Sequence, residues 1–178
     1  ISAGAGRQWW LKPVLALIVV VLASQMSFAL QKKQIGYLPT EALEIARVAK
    51  PLLRPGDKVM ARKSYFAWHA GLQPVPFPFA DSLSQIAAVA RREHVRWLYF
   101  SWPEAELRSQ FEYLLDTLSA VPGLTPRVVT RHNPAVLYEI GPDFGREPAW
   151  ADNDTTRAMF RARARALITT NDWHSRLI

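Results

Sequence analysis

The pattern of hydrophobic and polar positions divides the chain into one long apolar run and a later region of short periodic segments. Residues 13–30 form the apolar run, which contains no charged residue. A helix of that length is about 27 Å long, close to the roughly 30 Å hydrocarbon core of a bilayer. The run therefore predicts a transmembrane helix, and we assign residues 1–33 to this helix and its flanks.

Aromatic and basic side chains border this run. Trp9 and Trp10 precede it where an aromatic belt would lie, and Lys12, Lys32 and Lys33 flank it. We expect these five residues to contact the membrane interface, with the lysines extending towards water. Because both flanks are basic, the charge pattern does not decide the side of the membrane on which the following domain lies.

Two other kinds of segment have this pattern and are alternative interpretations of residues 13–30: a cleaved signal peptide and a buried core helix. The run is long for a signal peptide, and no small-x-small cleavage site closes it, although Ser24 and Ser27 leave room for cleavage. The first residue is Ile rather than Met. We therefore expect a processed chain or the last span of a longer polytopic protein.

After residue 40 the periodicity alternates between helical and extended. Apolar positions at helical spacing predict helices over residues 41–53, 64–70, 82–94 and 104–118. Strands or extended segments are predicted over residues 58–62, 74–79, 95–101, 125–131 and 135–140, the last two joined by a turn. This order predicts an α/β domain over residues 40–141: a small Rossmann-like three-layer sandwich with an antiparallel edge hairpin, preceded by one transmembrane helix.

Two helices carry predictions about packing. In the helix at 104–118, one apolar face is expected to contain Leu107, Phe111, Leu114 and Leu115. Residues 142–178 form a linker and a basic amphipathic helix. Its basic side chains are Arg157, Arg161, Arg163 and Arg165, and its apolar ones are Met159, Phe160, Leu167 and Ile168. Such a helix lies on an anionic membrane surface or packs its apolar side on the domain, which is the commoner outcome.

The composition narrows the possible partners. The chain has 178 residues, a formal net charge of +7 and no cysteine, so disulfides, thiolate metal sites and cysteine nucleophiles are excluded. A basic chain binds nucleic acid, anionic lipid or anionic substrates. The basic residues are scattered and no nucleic-acid-binding motif is present, so we predict the lipid bilayer as a partner and no nucleic acid.

The chain carries no recognisable catalytic or cofactor motif. The four histidines, at positions 69, 94, 132 and 174, have no metal-ligand spacing, and no phosphate-binding loop or nucleophile elbow occurs. We predict no catalytic residue, no metal and no cofactor. A phosphate-bearing ligand at the carboxyl edge of the sheet would contact Arg62, Lys63, Ser64, His69 and Trp102. Trp68, Trp102 and Trp150 are candidates for stacking on sugars, although packing is the commoner role of such residues.

One stretch resembles a known family. The motifs are GDKVMARK, YFAWHAG, PVPFP and RWLYFS, followed by the segment RHNPAVLYEI. Over residues 40–141 the chain resembles the C-terminal soluble domain of bacterial glycosyltransferase family 39 membrane proteins, which are similar to the dolichyl-phosphate-mannose protein mannosyltransferases. These motifs are structural and carry no catalytic residue.

The resemblance implies a polytopic inner-membrane protein that transfers a sugar from a polyprenyl-phosphate donor, with this domain on the extracytoplasmic side. The family's catalytic acidic residues lie in loops near the start of the protein, and no position here corresponds to them. We therefore expect a non-catalytic accessory domain whose partners are the rest of that protein and a polyprenyl-phosphate sugar or acceptor. The alternatives are a self-contained membrane-anchored ligand-binding or interaction module, and a small enzyme that uses the sheet edge.

Overall fold

Helix α1 (Leu11–Ile35) contains the apolar run. The computed structural model describes residues 11–35, 40–130 and 133–169, and it divides into two compact units, Ile1–Leu38 and Pro39–Ile178. In the first unit, Lys12–Lys32 is long and apolar enough to cross a membrane, and none of that window is buried. The Ser24 hydroxyl donates to the carbonyl of Val20 at 2.8 Å, so this polar group is satisfied within the helix.

The membrane-interface residues predicted from the sequence are only partly described. Trp9 and Trp10 lie outside the described residues, whereas Lys12 and Lys32 are exposed and Lys33 belongs to α1. The helix is long and apolar enough to cross a membrane, and a signal sequence near the N-terminus has the same length and composition.

The second unit is built on a five-stranded mixed sheet. Its helices are α2 (Thr40–Ala49), α3 (Tyr65–Ala70), α4 (Leu83–Arg92), α5 (Trp102–Leu107) and α6 (Asp154–Thr169). Its strands are β1 (Lys58–Ala61), β2 (Gln73–Pro76), β3 (Trp97–Ser101), β4 (Leu124–Thr130) and β5 (Ala135–Ile140). The strand order is β2-β1-β3-β5-β4; β1 is parallel to β2 and β3, and β5 is antiparallel to β3 and β4.

Apolar clusters cover both faces of this sheet. One cluster contains Ile45 of α2, Phe66 of α3 and Trp97 of β3. The other contains Ile86 of α4 and Phe100 of β3, together with side chains of α5 and α6. Neighbouring β3 residues belong to opposite clusters because successive side chains of a strand point to opposite faces. Both faces are therefore buried, which explains the nearly continuous apolar sequence of β3.

The single helix predicted over residues 104–118 is wrong. The structure has α5, then two 3-10 helices, Ser109–Leu115 and Thr117–Ser119. The α-helix ends at Leu107, because the next residue, Arg108, has a φ of −134°, which is not helical. The predicted apolar face is also wrong at Leu107, which is 67% exposed. At this interruption the Arg108 guanidinium lies over the ring of Phe77, a residue far away in the sequence.

Helix α6 packs on the 3-10 helix at Ser109–Leu115. Phe160 and Ala164 are buried, so the apolar side of α6 contacts the domain. Arg163 lies 3.0 Å from the buried carboxylate of Asp116, and Arg165 lies 3.1 Å from that of Glu112. Two arginines of the basic face therefore neutralise buried carboxylates.

A second ion network joins the amino-terminal parts of β1, β3 and β4 to the carboxyl end of the antiparallel β5. The Asp57 carboxylate accepts hydrogen bonds from Nε1 of Trp97 at 2.9 Å and from Arg96 at 3.2 Å. Arg96 also donates to Glu139 at 3.0 Å, and Glu139 in turn accepts from Arg127 at 2.7 Å. Hydrogen bonds from Arg127 and Arg96 lower the pKa of Glu139. This network links β1, β3, β5 and β4 at the edge opposite the candidate site.

Candidate functional site

The carboxyl ends of β1 and β3 are the topological candidate for a ligand site. Strand β1 lies between β2 and β3. Helix α3 connects β1 to β2 on one side of it, and helix α4 connects β2 to β3 on the other side. Helices α3 and α4 belong to the clusters on opposite faces. In open α/β sheets, ligands bind in the crevice where the connections diverge in this way. Here that crevice lies between the ends of β1 and β3.

Charged side chains of the protein itself occupy this position. Arg62, the first residue after β1, places Nε 3.2 Å from a carboxylate oxygen of Glu104, in the segment that follows β3. The other oxygen of Glu104 accepts a hydrogen bond from Arg108, one turn later on the chain. Glu104 is 2% exposed and Arg108 is 8% exposed. The crevice therefore contains a carboxylate enclosed between two guanidinium groups.

Arg108 is held by aromatic rings as well as by Glu104. Its guanidinium carbon lies 4.6 Å from the centre of the Phe77 ring and 5.3 Å from that of Phe79. A guanidinium over an aromatic face is stabilised by the ring's electron density. Burial raises the pKa of Glu104, and the two guanidinium groups counteract part of that rise. We conclude that Glu104 and Arg108 form a structural ion pair.

The five ligand residues predicted from the sequence have different surroundings. Arg62, Lys63, Ser64 and His69 are exposed, and Arg62 pairs with Glu104. Trp102 is buried in the core, and its backbone N–H donates to the Pro134 carbonyl at 2.8 Å. Lys63 and Ser64 remain accessible at the edge.

Sequence reasoning missed Glu104 and Arg108 as the centre of this site. Glu104 lies in the first turn of α5, where any acidic residue is favoured by the helix dipole, so its position alone indicates no site. The four-residue spacing between Glu104 and Arg108 was the available signal. The third member, Arg62, joins only because β1 and β3 are neighbours in the sheet.

A second polar cluster lies at the same edge, on the face covered by α2. Asn133, in the turn between β4 and β5, donates from its side-chain amide to the Thr40 hydroxyl at 3.0 Å and to the Glu41 carboxylate at 3.5 Å. Glu41 is buried, and this burial raises its pKa. Tyr99 is also buried and stacks on Phe66 with ring centres 4.6 Å apart, and burial raises the pKa of its hydroxyl. These contacts fix the first turn of α2 to the carboxyl edge.

Several large apolar side chains of the second unit are exposed. Of the described residues in the second unit, four large apolar side chains are more than 60% exposed: Trp68, Phe79, Leu107 and Leu118. The first three lie in the segments that leave β1, β2 and β3. Tyr65, 46% exposed, lies one turn before Trp68 on α3.

Of the three tryptophans considered for sugar stacking, only Trp68 presents most of its side chain to solvent. Trp150 is half-buried between Tyr113 and Phe160, with ring centres at 5.1 Å and 4.8 Å. It borders a cleft of about 280 Å³ that Asp81, Gln110 and Arg157 also line. Arg157 is already bonded to the Ala151 carbonyl and lies 3.6 Å from Asp154. This cleft therefore reflects the packing of α6.

The residues in the described ranges include no group of three or more histidine, cysteine, aspartate or glutamate side chains that could hold a metal ion. His132 and His174 lie outside those ranges. No family model, no curated protein and no solved structure matches this chain.

Proposed function

We propose that this chain is the last membrane span and the extracytoplasmic accessory domain of a polytopic inner-membrane glycosyltransferase. The donor would be a lipid-phosphate-linked sugar, and the catalytic carboxylates would lie in other parts of that protein. In this proposal the α/β unit is Rossmann-like in its layering and lacks a catalytic centre of its own.

The enclosure of Glu104 carries the proposal. A carboxylate that acts as a general base must come within hydrogen-bond reach of the substrate proton. Glu104 is the carboxylate in the crevice, yet both of its oxygens are bonded to arginines and it is 2% exposed. Chemistry at this edge would require the ion pair to open, so the edge is better suited to support or recognition than to catalysis.

The segments that carry the resemblance agree with an accessory role because they form packing elements of the domain. GDKVMARK contains β1 and Arg62, and RWLYFS contains β3. YFAWHAG contains α3 and its C-cap Gly71, and Phe66 of this helix is buried. These segments specify a domain and its edge, in agreement with an accessory role.

A transfer assay tests the proposal. The full chain is reconstituted in lipid nanodiscs with a radiolabelled polyprenyl-phosphate mannose donor and a peptide or lipid acceptor. We expect no labelled product above nanodiscs that lack the protein. Turnover that depends on the chain and disappears in Glu104→Gln would contradict the accessory role and support a small enzyme at the sheet edge.

A complementary observation is the sequence encoded upstream of Ile1. We expect several further membrane spans and an acidic loop near the start of that reading frame. A reading frame that starts at the span would instead favour the second candidate, a self-contained membrane-anchored interaction module. The exposed Trp68 and Phe79 favour this second candidate because large exposed apolar patches mark interaction sites.

A further inference from the structure

The cleft beside Trp150 is lined by three parts of the second unit: the start of α4, the 3-10 helix at Ser109–Leu115 and α6 with the loop before it. Its volume is about 280 Å³. Neither Glu104 nor the two arginines bonded to it line this cleft. The packing of α6 explains why a cleft forms here, but it leaves several polar groups of the lining without a hydrogen bond.

Tyr113 is the most informative of these groups. It lines the cleft, and its ring meets that of Trp150 edge to face with ring centres 5.1 Å apart. Tyr113 is only 8% exposed, yet no described residue forms a hydrogen bond with its hydroxyl. Buried tyrosine hydroxyls usually have a hydrogen-bond partner. A buried hydroxyl that borders a cleft and has no such partner is available to a ligand.

A carboxylate and a guanidinium lie near the same hydroxyl. Burial raises the pKa of the Tyr113 hydroxyl, the Glu147 carboxylate raises it further, and the Arg161 guanidinium lowers it. The hydroxyl is therefore protonated at neutral pH and can both donate and accept. Glu147 and Arg161 also line the cleft, and neither forms a hydrogen bond or ion pair with another described residue. The cleft thus combines a free acceptor, a free donor and a hydroxyl.

Contacts with the backbone hold two other side chains of the cleft in place. The side-chain amide of Gln110 donates to the Ala80 carbonyl at 3.2 Å, and its amide oxygen can still accept a hydrogen bond. Nε1 of Trp150 donates to the Ser119 carbonyl, which fixes the orientation of the indole. Groups that are fixed before a ligand arrives lose little conformational entropy when it binds.

This combination of groups fits a neutral ring that carries several hydroxyls. Hydroxyls pair with carboxylates and guanidinium groups alike, and the C–H groups of a sugar ring pack against aromatic side chains. The lining contains three carboxylates but only two guanidinium groups, and one of these, on Arg157, lies 3.6 Å from Asp154. A phosphate-bearing ligand is therefore disfavoured. The volume lies just below the roughly 300 Å³ at which typical ligand pockets begin, so one ring fits better than an oligosaccharide.

We propose that this cleft binds one neutral sugar ring, which packs beside Trp150 and forms hydrogen bonds with the Tyr113 hydroxyl, Glu147 and Arg161. The inference goes beyond the proposed function, because it requires neither a membrane span nor a transferase. The ring belongs either to a free sugar or to a sugar residue of a glycan, and both present the same hydroxyls to the cleft.

Saturation-transfer difference NMR on the full chain tests this assignment. The chain is reconstituted in nanodiscs of phosphatidylcholine, a lipid that carries no sugar. The probes are glucose, mannose, galactose and N-acetylglucosamine, each as the free sugar and as its methyl glycoside, together with glucose 6-phosphate. Tyr113→Phe and Arg161→Gln each remove one polar group that forms no hydrogen bond with a described residue, so both variants should unfold at the temperature of the native chain. Tyr65→Phe and Arg47→Gln, at exposed positions outside the cleft, are the matched controls.

We expect at least one neutral sugar to bind in the millimolar range, since a single ring makes few contacts. Tyr113→Phe and Arg161→Gln should each weaken this binding about five-fold, the effect of one lost hydrogen bond, whereas both controls should bind like the native chain. A preference for the methyl glycosides would support a glycan residue as the ligand, and a preference for the free sugars would support a free sugar. No saturation transfer to any neutral sugar, or equal binding in Tyr113→Phe and Arg161→Gln, would overturn the inference. Tighter binding of glucose 6-phosphate than of glucose would also overturn it.

Discussion

Nε of Arg62 lies 3.2 Å from a carboxylate oxygen of Glu104, which joins the segment that leaves β1 to the segment that leaves β3. This contact closes the crevice in which open α/β sheets bind ligands. Arg62, a candidate ligand residue, therefore forms part of the internal packing of the domain.

Glu104 should be essential to stability. Glu104→Gln leaves the buried guanidinium of Arg108 without a countercharge, and breaking a buried ion pair in this way costs about 3–5 kcal/mol. Urea unfolding of the full chain in detergent, followed by tryptophan fluorescence, measures the change. Glu106→Gln, at an exposed position two residues later, should change the free energy of unfolding by less than about 0.5 kcal/mol.

The double variant Glu104→Gln/Arg108→Met removes both buried charges. It should be more stable than Glu104→Gln, because an apolar replacement removes the uncompensated charge. Equal or lower stability of the double variant would show that Arg108 does not depend on Glu104.

Two glycines with positive φ should respond differently to alanine. Gly123 has φ +70°, and a Cβ added there would lie 2.0 Å from the backbone nitrogen of Phe144. Gly56 has φ +88° and nothing within 4 Å of an added Cβ. Gly56→Ala should therefore cost only the backbone strain of about 1–2 kcal/mol. Gly123→Ala should cost clearly more in the same urea titration, and equal effects would contradict the close approach of residues 123 and 144.

The contact of α6 with the domain should depend on Phe160. Phe160 is 7% exposed, and truncating a buried phenylalanine costs about 3–5 kcal/mol. In Phe160→Ala we expect faster proteolytic cleavage within α6, detected by mass spectrometry, together with lower stability. Met159→Ala is the control, because the Met159 side chain, next to Phe160, is 46% exposed. The cleavage rate of this variant should equal that of the native chain.

The pH dependence of stability should reveal the burial of Glu41. Burial raises the pKa of Glu41 above its ordinary value of 4.5, so the unfolded chain loses this proton at lower pH than the folded chain. The contribution of Glu41 is fully present below pH 4.5 and is lost as the pH rises through the folded pKa. Stability measured from pH 4 to pH 7, a range of about three units, should therefore fall more in the native chain than in Glu41→Gln.

Glu44→Gln, exposed on the same helix, serves as the control and should follow the native pH profile. If Glu41→Gln also follows that profile, the carboxyl group of Glu41 is not buried in solution.

Local signals made much of the fold predictable. The predicted end of α3 at Gly71 is confirmed, because that residue adopts φ +69° where other residues are strained. Strand β5 has the predicted bounds, residues 135–140, since a turn precedes an apolar run. The helix over 104–118 was not predictable in this way. At its interruption Arg108 contacts Phe77, which is far away in the sequence, and a local pattern does not reveal such a contact.

The candidate site was less predictable than the fold. The edge position of Arg62 followed from its place after β1, but its partner did not. The Arg62–Glu104 contact requires β1 and β3 to be adjacent, and their order in the sheet is a tertiary property. The exposure of Phe79 was also not predictable, because Phe77 in the same proline-rich segment is buried and the local sequence does not distinguish the two.

The most direct test of the account is the fate of the whole chain in a bacterial membrane. Membranes containing the chain are washed with alkaline carbonate, and the retained protein is analysed by mass spectrometry. If Lys12–Lys32 spans the membrane, the chain remains in the pellet with α1 intact. Leu17→Arg/Val21→Arg, which places two charges in the apolar run, should release it. A native chain found in the supernatant, or shortened by cleavage near Ser24 or Ser27, would contradict a membrane-anchored domain.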